Sequence, residues 1–266
     1  MEGRRVDRRE FLLAGVATGA AVATPLNYAA LARARRHPRP AEGAFLHGIS
    51  SGQPSPRGIE LWTRLSEIDR TSLLKLEVAK DRGFRHVVRR EEVAALKRHD
   101  FTVHSRVRGL SPDSEYFYRF HTRGTNSAVG RFRTLPPPDS NRPIRIGFFS
   151  CQDHEAGYYT AHAALAQEQN LDLVFCLGDY IYERHYYNGP AARVDHTGVN
   201  GDGNVQTLAE YRQKYRFYQT DPNLQAMHAA FPLRVGLGRP RGRGQLRGRR
   251  PRLDPARRHE GEQRHA

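Results

Sequence analysis

Two short, nearly continuous apolar runs flank a helical pattern, and this arrangement limits the possible folds more than any other feature. The runs occupy residues 144–151 and 171–180, and the apolar spacing between them predicts a helix over about residues 158–169. A strand, a helix and a strand within about 35 residues form a βαβ unit with parallel strands. The second half of the chain is therefore expected to contain an α/β layer.

The first half, from Phe45 to Pro136, has a different pattern. Strands are predicted at residues 59–65, 73–78, 84–88 and 130–135, with turn residues between them. A Leu-x-Pro turn at residues 110–112 leads into Tyr-x-Tyr-x-Phe at 116–120, which is typical of the corner and strand of fibronectin III-type sandwiches. These aromatic residues are interpreted as core. Pro136, Pro137 and Pro138 then form a stiff linker.

The charge of the chain lies mostly at its two ends. The formal net charge is +15, but residues 1–41 hold eight Arg against three acids and residues 233–266 hold eleven Arg against three acids. A nucleic-acid-binding face normally lies on the folded body, so a specific nucleic-acid partner is not expected. No stretch approaches the ~20 apolar residues of a membrane-spanning helix. Two cysteines exclude a disulfide scaffold.

The N-terminus has the pattern of an export signal. Arg8 and Arg9 precede Phe11 and Leu12, and an apolar Gly/Ala-rich run and an Ala-Leu-Ala cleavage pattern follow. This start resembles the twin-arginine consensus, whose machinery exports folded proteins. Residues 1–41 are therefore interpreted as a signal peptide and linker, and the mature protein is expected to be secreted, periplasmic or in the cell wall. A short amphipathic helix or a disordered arm is the alternative.

Polar side chains with metal-binding chemistry follow the two parallel strands. Cys151 and Asp179 lie at the carboxyl ends of strands expected to be neighbours, where functional groups of open α/β sheets gather. Gly178 is expected to permit the tight turn that brings Asp179 close to a metal. A thiolate and a carboxylate joined by the phenolate of Tyr182 would suit trivalent iron, whereas carboxylates alone, with Glu183 as the second acid, suit Ca²⁺ or Mg²⁺.

Other interpretations of these residues remain open. Cys151 could be a buried, inert thiol, and this is the preferred interpretation for Cys176, which lies inside an apolar strand. The histidines His154, His162 and His185 lack ligand spacing and are assigned to the surface or the core.

Several segments together resemble the PhoD-type alkaline phosphatases. Gly-Asp-Tyr-Ile-Tyr-Glu at 178–183 is the most specific, and the resemblance spans about residues 4–232. In the segment at 48–54 the family more often has Asp where this chain has Gln53. The segments are residues 48–54, 150–153, 157–161, 177–183, 207–212, 215–216, 221–225 and 228–232.

The resemblance implies a fold, an activity and a metal site. The implied fold class is mixed α+β, with a fibronectin III-like β-sandwich at 42–136 and part of a calcineurin-like α/β metallophosphatase domain at 143–232. The implied activity is hydrolysis of phosphate monoesters or diesters at a site that holds Fe³⁺ and Ca²⁺. Cys151, Asp179 and Tyr182 would ligate the iron, and Asp179 is the candidate for sharing with calcium. The catalytic residues are not assigned and are expected further along the family's sequence.

The chain departs from the family after residue 232. The family continues to Trp-Asp-Asp-His-Glu-Val, whereas residues 233–266 are rich in Arg, Gly and Pro, with no Lys and no aromatic residue, and are expected to be disordered. Residues 238–242 are Gly-Arg-Pro-Arg-Gly, whose usual four-fold codons are GGN CGN CCN CGN GGN. When these codons are read one base later, they can encode Asp-Asp-His-Glu. The hypothesis is a frameshift near Leu233, in the gene or in its reported sequence, which predicts weak folding and little activity. A natural variable tail is the alternative.

Two other functions predict different behaviour. A secreted β-sandwich binding module would bind no iron and would lose nothing when Cys151 is replaced. A nucleic-acid binder acting through residues 233–266 would show an affinity that falls steeply with salt.

Overall fold

The computed structural model describes residues 42–184 and 191–236, which form two β-sheets and three α-helices. The strands are β1 Ile49–Ser55, β2 Gly58–Arg64, β3 Ser72–Ala79, β4 Val87–Ala95, β5 Thr102–Arg108, β6 Glu115–Thr122, β7 Thr125–Asn126, β8 Gly130–Arg133, β9 Ile146–Phe149, β10 Leu173–Cys176 and β11 Pro232–Val235. The helices are α1 Thr160–Gln167, α2 Leu208–Tyr218 and α3 Pro222–Ala230.

The first half is a β-sandwich. The antiparallel strands β5, β2 and β1 face a second antiparallel sheet in the order β4-β3-β6-β7, in which β8 also pairs with β6. Inward-pointing residues of both sheets meet in one core, because alternate residues of each strand point to the same face. The core includes Ile59, Leu61, Leu76, Val103, Tyr118, Phe120 and Phe132. The predicted fibronectin III-like sandwich is confirmed.

The structure confirms one detail of the predicted sandwich and corrects another. The hydroxyl of Tyr116 accepts a hydrogen bond from the amide of Ser111 at 2.9 Å, which forms the expected tyrosine corner. The predicted strand at 84–88 is wrong in its first residues. Phe84 lies in a turn with a φ of 55°, and strand β4 begins at Val87. Strands β1, β5 and β7 were not predicted.

The sheet β5-β2-β1 does not end at β1 but continues into the second half of the chain. Strand β11 pairs in parallel with β1 on one side and with β10 on the other, and β10 pairs in parallel with β9. A single six-stranded sheet therefore runs from the sandwich into the predicted βαβ unit. That unit is confirmed, although its strands and helix are each shorter than the sequence pattern predicted.

Helices α1 and α3 cover one face of the parallel strands. Leu224, Met227 and Phe231 pack with Val174 and Cys176 in a second core on this face. On the opposite face, Ile146 and Phe148 are 48% and 70% exposed. At these two positions the opposite face is far more exposed than the face under α1 and α3, although Leu173 on that face is buried.

Capping residues define where α2 and α3 begin. Thr207 accepts a hydrogen bond from the Glu210 amide, and the Glu210 carboxylate accepts one from the Thr207 amide, which is a capping box at the start of α2. Asp221 caps α3, with Pro222 in the first turn. Among the described residues, no helix is both long enough and apolar enough to cross a membrane.

The boundary predicted at residue 232 needs correction. Leu233, Arg234 and Val235 are not part of a disordered tail, because they form β11 and pair with Val174, Phe175 and Cys176. An apolar Leu-x-Val strand inserted between two existing strands gains backbone hydrogen bonds on both sides. The two other predictions for the chain ends, the signal peptide at 1–41 and the tail from residue 237, lie outside the described residues.

Candidate metal centre

The cluster of Cys151, Asp179 and Tyr182 lies at the carboxyl edge of β9 and β10. Phe149 and Cys176 are paired at the ends of these strands, so the two loops that follow begin side by side. The Sγ atom of Cys151 lies 3.7 Å from Oδ2 of Asp179, and the hydroxyl of Tyr182 lies 3.5 Å from the same oxygen. The structure therefore brings together all three residues singled out from the sequence.

Both loops leave their strands through left-handed backbone. Cys151 and Asp179 have φ angles of 57° and 51°, which are unfavourable for residues with a Cβ atom and are characteristic of functional sites. Two hydrogen bonds hold this geometry, from the Cys151 amide to the Gly178 carbonyl and from the Gln152 amide to the Asp179 carbonyl, both at 3.2 Å.

The role expected for Gly178 is wrong. Its φ is not positive, and a Cβ atom added there would meet nothing within 4 Å. The tight turn falls on Asp179 itself, so the strained residue is the candidate ligand rather than its neighbour.

The electrostatics of the cluster favour a bound cation. Burial raises the pKa of the Tyr182 phenol, and a hydrogen bond with Cys151 and the negative charges of Asp179 and Asp153 raise it further. Without a cation the phenol stays protonated at neutral pH. A positive ion between the three donors would reverse that balance.

The donor set and its spacing fit one metal ion. Donors bound about 2.0 to 2.4 Å from an ion lie roughly 3 to 4 Å from one another, and both the Cys151 sulfur and the Tyr182 hydroxyl lie at such a distance from Oδ2 of Asp179. Cys151 is exposed, so the interpretation as a buried, inert thiol is wrong for this residue, whereas Cys176 is buried as predicted. Counting only His, Cys, Asp and Glu, residues 42–184 and 191–236 contain no group of three that could hold a metal.

Comparison with known proteins identifies the family. The model of the PhoD-like phosphatase N-terminal domain matches residues 30–136, and that of the PhoD-like phosphatase matches residues 146–237. Alkaline phosphatase D of Bacillus subtilis (strain 168) is 38% identical over 243 residues, covering 85% of this chain and 40% of that protein. The chain belongs to the PhoD-like phosphatase family.

A solved structure of PhoD supports the fold assignment. It superposes with a TM-score of 0.65 at 38% identity, covering 74% of this chain and 39% of that one. The family resemblance and the mixed α+β fold are thus confirmed. The chain spans about 40% of the length of these PhoD relatives. The family match reaches residue 237, which agrees with the inclusion of β11 in the fold.

Gln152, which the sequence analysis did not single out, joins the two loops that carry the candidate ligands. Its Nε2 atom donates to the Tyr180 carbonyl at 2.8 Å, and its Oε1 lies 2.9 Å from Nε2 of the buried His162. The hydroxyl of Tyr159 donates to the Gln152 carbonyl at 3.0 Å. A polar residue directly after the candidate ligand Cys151 was the signal that could have identified it.

Two ion pairs fix the loop before α2, and no local sequence pattern predicts them. Lys214 and Asp195 are 1% and 4% exposed, and Lys214 also donates to the Gly203 carbonyl. Arg193 pairs with Asp221 and donates to the His154 carbonyl. Burial raises the pKa of Asp195, but the hydrogen bonds from Lys214 and Thr197 outweigh it, so the pKa is lowered.

The other residues weighed from the sequence lie away from the cluster or in the core. Glu183 acts on Tyr211 of α2. Burial is the main cause of the raised pKa of Tyr211, and the negative charge of Glu183 is the second cause. His154 and His162 were assigned to either the surface or the core, and the structure places both in the core. Arg8, Arg9, Phe11, Leu12 and His185 lie outside the described residues.

Proposed function

We propose that this chain is a secreted, metal-dependent phosphoesterase in which Cys151, Asp179 and Tyr182 ligate Fe³⁺ and Asp179 also contacts Ca²⁺. The substrate is a phosphate ester. The observation that carries the proposal is that Sγ of Cys151 and the hydroxyl of Tyr182 both lie within 3.7 Å of Oδ2 of Asp179, at a strained sheet edge. Membership of the PhoD-like phosphatase family supports it.

The chain's own residues prepare this site for a cation. The left-handed backbones of Cys151 and Asp179 aim both side chains at one point, and the Gln152 amide holds the two loops together. Tyr182 then releases its phenolic proton when a cation occupies the cluster. Bound iron and calcium would supply positive charge that holds phosphate oxygens and activates the attacking oxygen.

Weak activity is expected of the 266-residue chain. Its described residues supply three donors of this kind, whereas iron takes further ligands and catalysis requires groups that are not assigned here. We therefore expect it to bind Fe³⁺ but to hydrolyse an aryl phosphate far below an ordinary enzyme rate. An ordinary rate from the purified chain would refute the expected weakness and support the phosphoesterase assignment.

The test combines metal binding with activity. Purified chain is loaded with Fe³⁺ and Ca²⁺, and we expect a visible absorption band from a tyrosinate bound to iron. Tyr182→Phe should abolish the band and Cys151→Ser should weaken iron binding. Tyr158→Phe, which alters a 59% exposed tyrosine, is the matched control and should change neither. If the purified chain binds no iron and Cys151→Ser changes none of its properties, the result would instead support a β-sandwich binding module.

Export through the twin-arginine machinery is the second part of the proposal. The pattern at Arg8, Arg9, Phe11 and Leu12 supports it. Replacing Arg8 and Arg9 together by Lys keeps the charge but removes the paired guanidinium groups, so the protein should accumulate in the cytoplasm. Replacing Arg4 and Arg5 by Lys is the control. Export that persists in the Arg8/Arg9 variant would contradict the assignment.

A further inference from the structure

A second polar cavity lies away from the candidate metal centre, between the sandwich and helix α2. Its volume is about 450 Å³, within the size range of small-ligand sites. The floor is the outer face of β2 and β5, where Trp62 lies directly opposite His104. The wall is α2, which contributes Arg212, Tyr215 and Arg216.

The cavity has an excess of positive charge. Arg64, Arg212 and Arg216 line it, and Asp100 is the one acid among its described lining residues. Asp100 is already bound, because it accepts hydrogen bonds from Arg64 at 3.3 and 3.2 Å and pairs with Arg216. Burial raises the pKa of this carboxyl, but the two arginines outweigh that effect and lower it, so Asp100 is ionised. Three cations against one anion leave two positive charges uncompensated.

The two helix arginines are one turn apart on the same face of α2. Like charges at this spacing repel each other, which disfavours the helix unless an anion lies between them. The polar contact found for the Arg212 side chain is a 3.5 Å hydrogen bond from its Nη2 atom to the Arg98 carbonyl. Arg212 also lines the cavity. Burial and then Arg98 and Arg212 lower the pKa of His99, consistent with a positive local potential.

Aromatic rings flank the cationic part of the cavity. Trp62 lies on the sandwich side and Tyr215 on the helix side. The ring of Tyr215 also stacks on Tyr180, with centroids 6.0 Å apart, and Tyr180 directly follows Asp179. A planar group in the cavity would therefore contact a ring that touches the neighbour of the candidate metal ligand.

We propose that this cavity binds a small organic phosphate, with its dianionic phosphate at Arg212 and Arg216 and its planar ring beside Trp62. Guanidinium groups match the planar oxygen pairs of phosphate and form charge-assisted hydrogen bonds with them. A dianion compensates both excess charges, whereas a single carboxylate leaves one. The proposal does not depend on catalysis at Cys151 and Asp179.

The single tryptophan of the chain reports on the site directly. The full chain is titrated with phenylphosphonate, at a pH where the probe is a dianion, and Trp62 fluorescence is followed. The P–C bond of this probe is not hydrolysed as an ester would be. We expect a saturable change, weakened about tenfold by Arg212→Gln, since one charge-assisted contact is lost. Arg106→Gln removes an arginine from the same face of β5 outside the cavity and should alter the affinity less than twofold.

The remaining arms separate the possible sources of the signal. Phenol and inorganic phosphate should each bind much more weakly than phenylphosphonate. Arg212→Lys should recover only part of the affinity, because lysine keeps the positive charge but lacks the paired donors of the guanidinium group. Cys151→Ser should leave binding unchanged. The proposal is overturned if no saturable change occurs, if Arg212→Gln binds as well as the parent chain with an unchanged circular dichroism spectrum, or if Cys151→Ser abolishes the signal.

Discussion

In the sandwich core, Leu61 and Phe132 are 0% and 1% exposed, whereas Ile146 and Phe148 on the parallel strands are 48% and 70% exposed. The two regions share one sheet, yet they bury it differently. The sandwich closes its apolar face with a second sheet from the same half of the chain. Among the described residues, helices α1 and α3 cover one face of the parallel strands, and parallel sheets are ordinarily covered on both. The sandwich should therefore be the more stable region, and the α/β half should depend on it.

The largest expected effect tests that dependence. Phe120→Ala empties a fully buried site in the sandwich and should destabilise the protein by about 3 to 5 kcal/mol. Because β1 carries β11, hydrogen exchange should accelerate in both β3 and β10. Met227→Ala, costing about 2 to 5 kcal/mol, should accelerate exchange in β10 and leave β3 protected. Equal acceleration of β3 in both variants would show that the two regions unfold as one unit.

Breaking the buried ion pair should produce a local loss of similar size. Lys214→Met leaves the Asp195 carboxylate buried without its cation, which costs about 3 to 5 kcal/mol. Limited proteolysis should then cut within residues 195–205 while the sandwich stays intact. Lys97→Met, at an exposed lysine, is the matched control. An uncut loop in Lys214→Met would mean that other contacts hold this segment.

Acid should weaken the α/β half more than the sandwich. Burial lowers the pKa of His154 to about 4 and that of His228 to about 3, from 6.5. The unfolded chain therefore binds protons that the folded chain excludes, and stability is lost as pH falls below 6.5, by up to about 1.4 kcal/mol per pH unit for each histidine. His47, with a pKa of about 4, acts likewise beside the sandwich. Exchange in β10 should respond more steeply than in β3, and a steeper response in β3 would reverse the comparison.

The smallest effect distinguishes the two faces of β9. Phe148→Ser changes an exposed ring and should alter the free energy of unfolding by less than about 0.5 kcal/mol while lowering the binding of a hydrophobic dye. Its neighbour Phe149 faces the helices and contacts His162, with centroids 4.6 Å apart. Phe149→Ser should cost several-fold more stability and raise dye binding. Similar effects from both would mean that both faces are covered in solution.

The sequence predicted what local patterns encode. Alternating residues identified β2 and β3, the Tyr116 corner identified the sandwich, and the strand ends at Cys151 and Asp179 identified the cluster. These features depend on neighbours in the chain or on a familiar crossover.

What could not be predicted depends on pairing between distant residues. The position of β11 between β1 and β10 has no local signal, because a four-residue strand next to an Arg/Gly-rich segment looks like the start of that segment. The left-handed turn at Asp179 was assigned to Gly178, since composition does not show which residue of a loop bears the strain. Buried pairs such as Lys214 and Asp195 likewise look like surface charges in sequence.

The placement of β11 has a consequence for the order of folding. Its partners β1 and β10 are complete long before residues 232–235 leave the ribosome, and they lie at sequence distances that make their pairing with β11 slow. Until then, the nascent chain has a sandwich with an open edge at β1 and a two-stranded parallel ribbon with an open edge at β10. Strand β11, the last of the described strands in chain order, closes both edges at once, so the two halves become one sheet only after these four residues have been translated.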